Sequence, residues 1–234
     1  MSDVLRPNSL GPYIELLSFA MAKPDERGRL ARRVDATGLG DFRAALRGRD
    51  AIWHGSGIGF MRCAATQNSM AQPFIDFFRT MEMAARSSGF APLTAKQMVA
   101  ALREMEDNIH RHSERVATGL VAYRCAPGAL EFVASDRGIG ALQSLRSNPE
   151  YAHVTDSGDA LQLVISEGVS RLGAGNGFGF RDLFVGLANL NGNLRFRSGS
   201  SSLEIHGRNP SQQNATVSQR ANTAGFTITV DCLN

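Results

Sequence analysis

Residues 100–113, Ala-Ala-Leu-Arg-Glu-Met-Glu-Asp-Asn-Ile-His-Arg-His-Ser, constrain this chain more than any other stretch. Wound as a helix at about 100° per residue, they and their neighbours form two adjoining stripes. Val99, Leu102, Met105, Ile109 and Val116 make an apolar stripe able to dock on a sheet. Glu104, Asn108, Arg111 and His112 share the neighbouring edge. A carboxylate, an amide, a cation and an imidazole beside a buried face cost desolvation free energy unless something binds them. The competing reading of this helix alone is an ordinary amphipathic helix with a polar flank.

The order of the surrounding segments decides between the two. Thr94-Ala95-Lys96-Gln97 has the capping-box pattern, and the helix it opens is predicted to run to about Arg115 or Ala117. Gly119–Cys125 and Ala129–Ser135 read as strands joined by the turn Ala126-Pro127-Gly128, making a hairpin. Asp136-Arg137-Gly138-Ile139-Gly140 stands at its end. A polar stretch from Arg146 to Gly158 is expected to be exposed and mobile. An amphipathic segment, Asp159–Arg171, leads into Gly173-Ala174-Gly175-Asn176-Gly177-Phe178-Gly179. A helix carrying Phe180, Leu183, Phe184, Leu187 and Leu190 comes next, stopped by Asn191-Gly192. Strands are expected at Asn193–Arg197, Ser202–His206 and Phe226–Val230, with a Gln/Asn/Ser-rich loop from Gly207 to Ala224.

This succession resembles the Bergerat-type ATP-binding fold shared by DNA gyrase, heat-shock chaperone, histidine kinase and mismatch-repair ATPases. The resemblance covers about residues 93 to 232. It implies an α/β (α+β) two-layer sandwich, with a mixed, mostly antiparallel sheet covered by helices on one face. It also implies ATP and Mg²⁺ as cofactors. Asn108 matches the asparagine that ligates Mg²⁺, and an amide oxygen suits that hard cation. Glu104, one turn earlier, matches the acid that polarises an attacking water or hydroxyl. Arg111 takes the place of a phosphate-contacting lysine, and His112 stands where kinases carry Tyr or His; a local hydrogen bond at the helix end is the alternative role for His112. Asp136 matches the adenine-reading aspartate, and Gly138 and Gly140 leave space beside the base and ribose. Gly175, Gly177 and Gly179 match the second glycine box, which holds phosphates on backbone amides. Residues 141–174 then correspond to an ATP lid. One departure is Gly225-Phe226 where relatives carry Gly-Thr; Thr227, one place later, is the candidate for that adenine contact.

Residues 1–90 lie outside the resemblance and read as a mainly helical segment, with a domain boundary near residue 90. Tyr13–Met21 and Leu39–Leu46 suggest helices, and Ala51–Gly55 a strand. Gly55-Ser56-Gly57-Ile58-Gly59 reads as a turn, because no Lys-Ser/Thr follows it and no βαβ frame surrounds it. Pro73–Arg86 places Phe74, Phe77, Phe78 and Met81 at helical spacing as a packing face. That stripe suggests a module for a regulatory protein partner or a homodimer.

No His-Glu/Asp-x-Lys/Arg-x-x-Pro phosphoacceptor box precedes the ATP-binding part, so a complete histidine kinase is not expected. The layout is nearer to stand-alone anti-sigma-factor-type kinases. The leading expectation is a bacterial regulatory ATPase or protein kinase acting on a protein partner in signal transduction. The alternative is a nucleotide-gated interaction module with little turnover. A net charge of +3, with Arg spread along the chain, gives no basic patch for nucleic acid. Three distant cysteines, no signal peptide and no apolar run of membrane-spanning length point to a cytoplasmic protein. A dinucleotide site fails because a helix, not a strand, precedes the Gly175–Gly179 run. A metal site at His110 and His112 fails because i and i+2 diverge on a helix.

Overall fold

The computed structural model describes residues 9–22, 25, 39–63, 71–166, 180–188 and 190–234. The described elements begin with α1 (Leu10–Ala22), α2 (Gly40–Arg47), β1 (Ile52–Gly55) and β2 (Ile58–Arg62). Helices α3 (Gln72–Ser87) and α4 (Pro92–His112) lead to β3 (Leu120–Ala126) and β4 (Ala129–Ser135). Then come α5 (Gly140–Arg146), α6 (Ser157–Ile165), α7 (Arg181–Gly186), β5 (Asn191–Arg208) and β6 (Thr216–Leu233). The strands form one six-stranded sheet in the order β1-β2-β3-β4-β6-β5. Every described pairing is antiparallel. This is the α+β sheet-and-helix architecture expected from the sequence.

Strand alternation divides the core into two layers. Leu130, Phe132 and Ala134 of β4 face α3 and α4, where Phe77, Met81, Met98, Leu102 and Met105 are buried. Val133 faces the other way, with Leu120, Ala122 and Phe60, against Leu10, Tyr13 and Ile14 of α1 and Phe42 of α2. The helical N-terminal segment therefore covers the second face of the sheet. Helix α1 is held there by a strand side chain. Glu131 of β4 accepts Ser9 Oγ–H at 2.6 Å, the Leu10 N–H at 2.9 Å and the Gly11 N–H at 2.9 Å. Those are free donors at the first turn of α1, so a carboxylate far along the chain serves as the helix cap.

Several expectations are corrected by these elements. The boundary near residue 90 falls inside one sheet, because β2 pairs with β3 from Ile58–Arg124 to Arg62–Leu120. The Phe/Met stripe of α3 is spent on that sheet: Phe77 and Met81 are fully buried, and the Phe77 ring packs 5.4 Å from that of Tyr123. Those side chains are packed inside the chain, while Ile75 and Met83 of the same helix are exposed. Gly55–Gly59 is a hairpin turn, as expected, with Gly57 at φ +67°. Helix α4 starts at Pro92, with Ala91 at its cap and no side-chain cap bond, so the Thr94 capping box does not form. The helix stops at His112, earlier than expected.

The closing strands are longer than their apolar content suggests. β5 and β6 span 18 residues each, and the Gln/Asn/Ser-rich stretch is mostly strand rather than loop. The segment expected to be a lid is largely packed. Leu145, Val154, Ala160, Leu161 and Ile165 are buried in the main core. Asp156 caps α6 by accepting the amides of Gly158 and Asp159. Residues 167–174 of the expected lid, and Gly175, Gly177 and Gly179, lie outside the described residues.

Candidate functional site

β4 ends at Ser135, and the chain turns at Asp136 through Arg137, Gly138 and Ile139 into α5. Four neighbours fix this turn. The Asp136 N–H donates to Phe226 O at 2.9 Å, continuing the β4–β6 ladder past its last pair. The Arg137 N–H donates to Thr118 Oγ at 2.9 Å. The Ile139 N–H donates to Ser113 O at 3.0 Å, which ties the turn to the end of α4. The Ala141 N–H donates to Ser198 Oγ at 2.9 Å.

Two glycines make this packing sterically feasible. A Cβ on Gly138 would lie 1.9 Å from Ser113 O. A Cβ on Gly225, which has φ +74°, would lie 2.1 Å from Asp136 O. The Asp-x-Gly-x-Gly pattern thus has a close-approach reason at Gly138. Gly140 has φ +75°, the left-handed start of α5.

Asp136 is 5% exposed. Burial pushes its carboxyl up to about 6, against the opposing hydrogen bonds from the Gly138 and Phe226 backbones. Its Oδ1 accepts the Gly138 N–H at 2.7 Å. A buried carboxylate held by its own turn, with its titration shifted, has the character of a binding group.

The end of α4 meets this turn through Ser113, and the predicted polar edge runs back along that helix. Glu104, Asn108 and His112 are half-buried, on the flank next to the buried Ala101 and Met105. Asn108 lies five residues before Ser113, about 7.5 Å along the helix axis. Arg111 is exposed and pairs with Asp107 on its own helix at 2.6 Å. Helix α7 packs against α4, so the chain leaving the Gly175–Gly179 run returns to this helix.

Thr227, another predicted site residue, stands opposite Ser135 in the β4–β6 ladder. Its hydroxyl meets Ser135 Oγ at 2.7 Å, in register across β4 and β6. Ser135 alternates with Ala134, so this pair lies on the face covered by α1, away from Asp136. The departure from the Gly-Thr pattern is therefore not restored by a one-residue shift, and no direct Thr227–adenine contact follows from this geometry.

Two groups escaped the sequence reading. Glu106, 4% exposed, pairs with His110 at 2.8 Å. Their i, i+4 spacing was the available signal. Ser198, 2% exposed, gave no signal, because a serine in a polar strand is unremarkable until its partners are known.

Among the described residues no cluster of three or more His, Cys, Asp or Glu forms a metal site. Mg²⁺ that arrives on phosphates needs only one or two protein ligands, and the amide oxygen of Asn108 is a suitable one. A buried carboxylate beside a glycine turn likewise fits an adenine amine. No described helix is long and apolar enough to cross a membrane.

No family model matches the chain, and no curated protein matches it. Among solved structures, the B subunit of DNA gyrase from Myxococcus xanthus is similar at TM-score 0.34 and 12% identity, over 68% of this chain and 42% of that one. The chain thus spans less than half the length of that protein, and likeness of this degree identifies neither a family nor an activity.

Proposed function

We propose that this chain binds Mg²⁺-ATP between the Asp136 turn and the polar edge of α4, and uses it in regulation of a protein partner. The observation that carries the reading is Asp136: a carboxylate 5% exposed, its backbone pinned on several sides, with Gly138 N–H on Oδ1 and the Phe226 backbone also hydrogen-bonded to the carboxyl. In the reading, its other oxygen accepts the exocyclic amine of adenine. Asn108 is the Mg²⁺ ligand. Arg111 reaches phosphate by leaving Asp107, an exchange that an exposed ion pair permits at a cost below about 1 kcal/mol. His112 borders the same phosphates. Gly175, Gly177 and Gly179 supply backbone amides to them.

ATP supplies a transferable phosphoryl group, and Glu104 is the base toward the attacking hydroxyl or water. A serine on a partner protein is the proposed acceptor in the kinase form of this reading. Water is the acceptor in the ATPase form. Thr227 is not retained as an adenine contact.

The Asp136→Asn variant tests the nucleotide assignment. Gly138 N–H keeps the amide oxygen engaged, so the variant turns its NH₂ toward the adenine amine, donor against donor. Calorimetric titration of the full chain with ATP and with GTP, each with Mg²⁺, should show ATP binding lost in the variant. Guanine carries an acceptor at that position and should lose less. Unchanged ATP affinity removes the assignment.

A second reading, a nucleotide-gated interaction module with little turnover, is favoured by one contact. Arg137 Nη1 of the turn donates to Met21 Sδ of α1 at 2.8 Å, linking the site to the N-terminal helix. Incubation with [γ-³²P]ATP separates the two readings. Label on a partner, or released phosphate, supports turnover.

A further inference from the structure

We propose that Ser198 is a positioning residue of the Asp136 site, tying the exit of the Asp136–Gly140 turn to the strand that backs it and thereby setting its preference for adenine. This rests on the nucleotide reading above.

A serine hydroxyl offers one donor and acceptor lone pairs. At Ser198 both functions are used, and the group is buried. It accepts the Ala141 N–H at 2.9 Å, at the first turn of α5. It donates to Gly225 O at 2.8 Å. Gly225 is the residue that packs on Asp136 from β6. One hydroxyl on β5 therefore joins the element that leaves the turn to the element that backs it.

Three further observations single out this position. Ser198 shares a strand face with Phe196, which lies in the core layer of α4, so it is on the Asp136 side of the sheet. The β5–β6 register shifts immediately after it, between Ser198 and Gly199 and again between Gly199 and Ser201. Bulges re-aim side chains and end regular pairing, and they are common beside active sites. Finally, a Cβ on Gly140 would lie 2.8 Å from Ser198 Oγ, so turn and clamp fit each other closely.

Loss of the hydroxyl leaves two buried backbone groups without their partner. The turn then relaxes and admits water to Asp136. The carboxyl, held at about 6 mainly by burial, should titrate lower in consequence.

The test uses the full chain with Ser198→Ala, and with Ser198→Cys to keep the volume while weakening both hydrogen bonds. The Asp136 titration is followed by carboxyl NMR without nucleotide, and ATP and GTP affinities by calorimetry. In variants that melt cooperatively, the Asp136 midpoint should move down toward the ordinary carboxylate range. The ATP-to-GTP affinity ratio should fall about tenfold, the effect of losing one good hydrogen bond. Unshifted Asp136 titration together with an unchanged ratio in both variants overturns the role of Ser198. A wild-type chain that binds neither nucleotide overturns the nucleotide reading instead, and the Asp136 titration then decides alone whether Ser198 holds the turn.

Discussion

Asp136→Asn should make the protein more stable at alkaline pH while disabling the site. The folded carboxyl is raised from 3.8 to about 6 by burial. A shift of that size corresponds to roughly 3 kcal/mol against the ionised form in the folded state. For a raised carboxylate the sign is fixed. Its favourable contribution is full below pH 3.8 and is lost as pH rises through about 6. Asparagine carries no charge at any of these pH values and still accepts the Gly138 N–H. The variant should therefore match the wild type near pH 4 and exceed it by about 1–3 kcal/mol near pH 8, the lower figure allowing for the amide's own desolvation. In a chain of this length that gain is about 2–10 °C in melting temperature. Urea unfolding of the two proteins at pH 4.5 and 8 measures the gap, and other titrating groups cancel between them. A gap independent of pH, or a variant less stable at pH 8, refutes the argument that burial dominates at Asp136.

The same midpoint predicts that ATP affinity measured by calorimetry falls as pH drops through about 6, where Asp136 takes up its proton and no longer accepts at both oxygens. Glu104→Ala should leave Mg²⁺-ATP binding intact and abolish phosphate release; undiminished turnover would move the chain to the gated-module reading. Gly138→Ala, with its Cβ 1.9 Å from Ser113 O, should cost about 3 kcal/mol in thermal unfolding, since backbone must move to relieve the overlap. Glu131→Ala strands the Ser9, Leu10 and Gly11 donors and should destabilise by about 2 kcal/mol or more. Limited proteolysis of that variant should release the α1 region first, and cutting elsewhere before α1 would count against the capping role.

The legible parts of this fold were those with a clear period. The 3.6-residue stripe of α4 and the apolar runs of β3 and β4 stood out, because one element face or both are buried. Along the polar edge of α4, Glu104, Asn108 and His112 are half-buried, whereas Arg111 is exposed. The outer half of β6, Thr216–Ala224, was not. It lies beyond the last β4 pairing, is mostly exposed, and is polar on both faces, so it lacks the alternation that marks a strand. The placement of α1 was equally hidden. Its segment is apolar on most sides, and its anchor is a carboxylate more than a hundred residues away. The strand face of Thr227 was not legible, because spacing along the chain says nothing of which side a strand residue takes; its hydroxyl meets Ser135.

The Glu131 cap also carries a consequence for how the chain assembles. Leu10 and its acceptor are separated by 121 residues, and Gly11 packs against Thr229 near the far end of the chain. Helix α1 packs on Phe42 of α2, but it gains its cap and its seat on Thr229 only when β4 and β6 are in place. Contacts of such long range add loop-closure entropy to the folding barrier, so α1 docks after the sheet has closed. Until β3 and β4 are paired, Leu10, Tyr13 and Ile14 lack the Leu120, Ala122 and Val133 side chains that they are buried against.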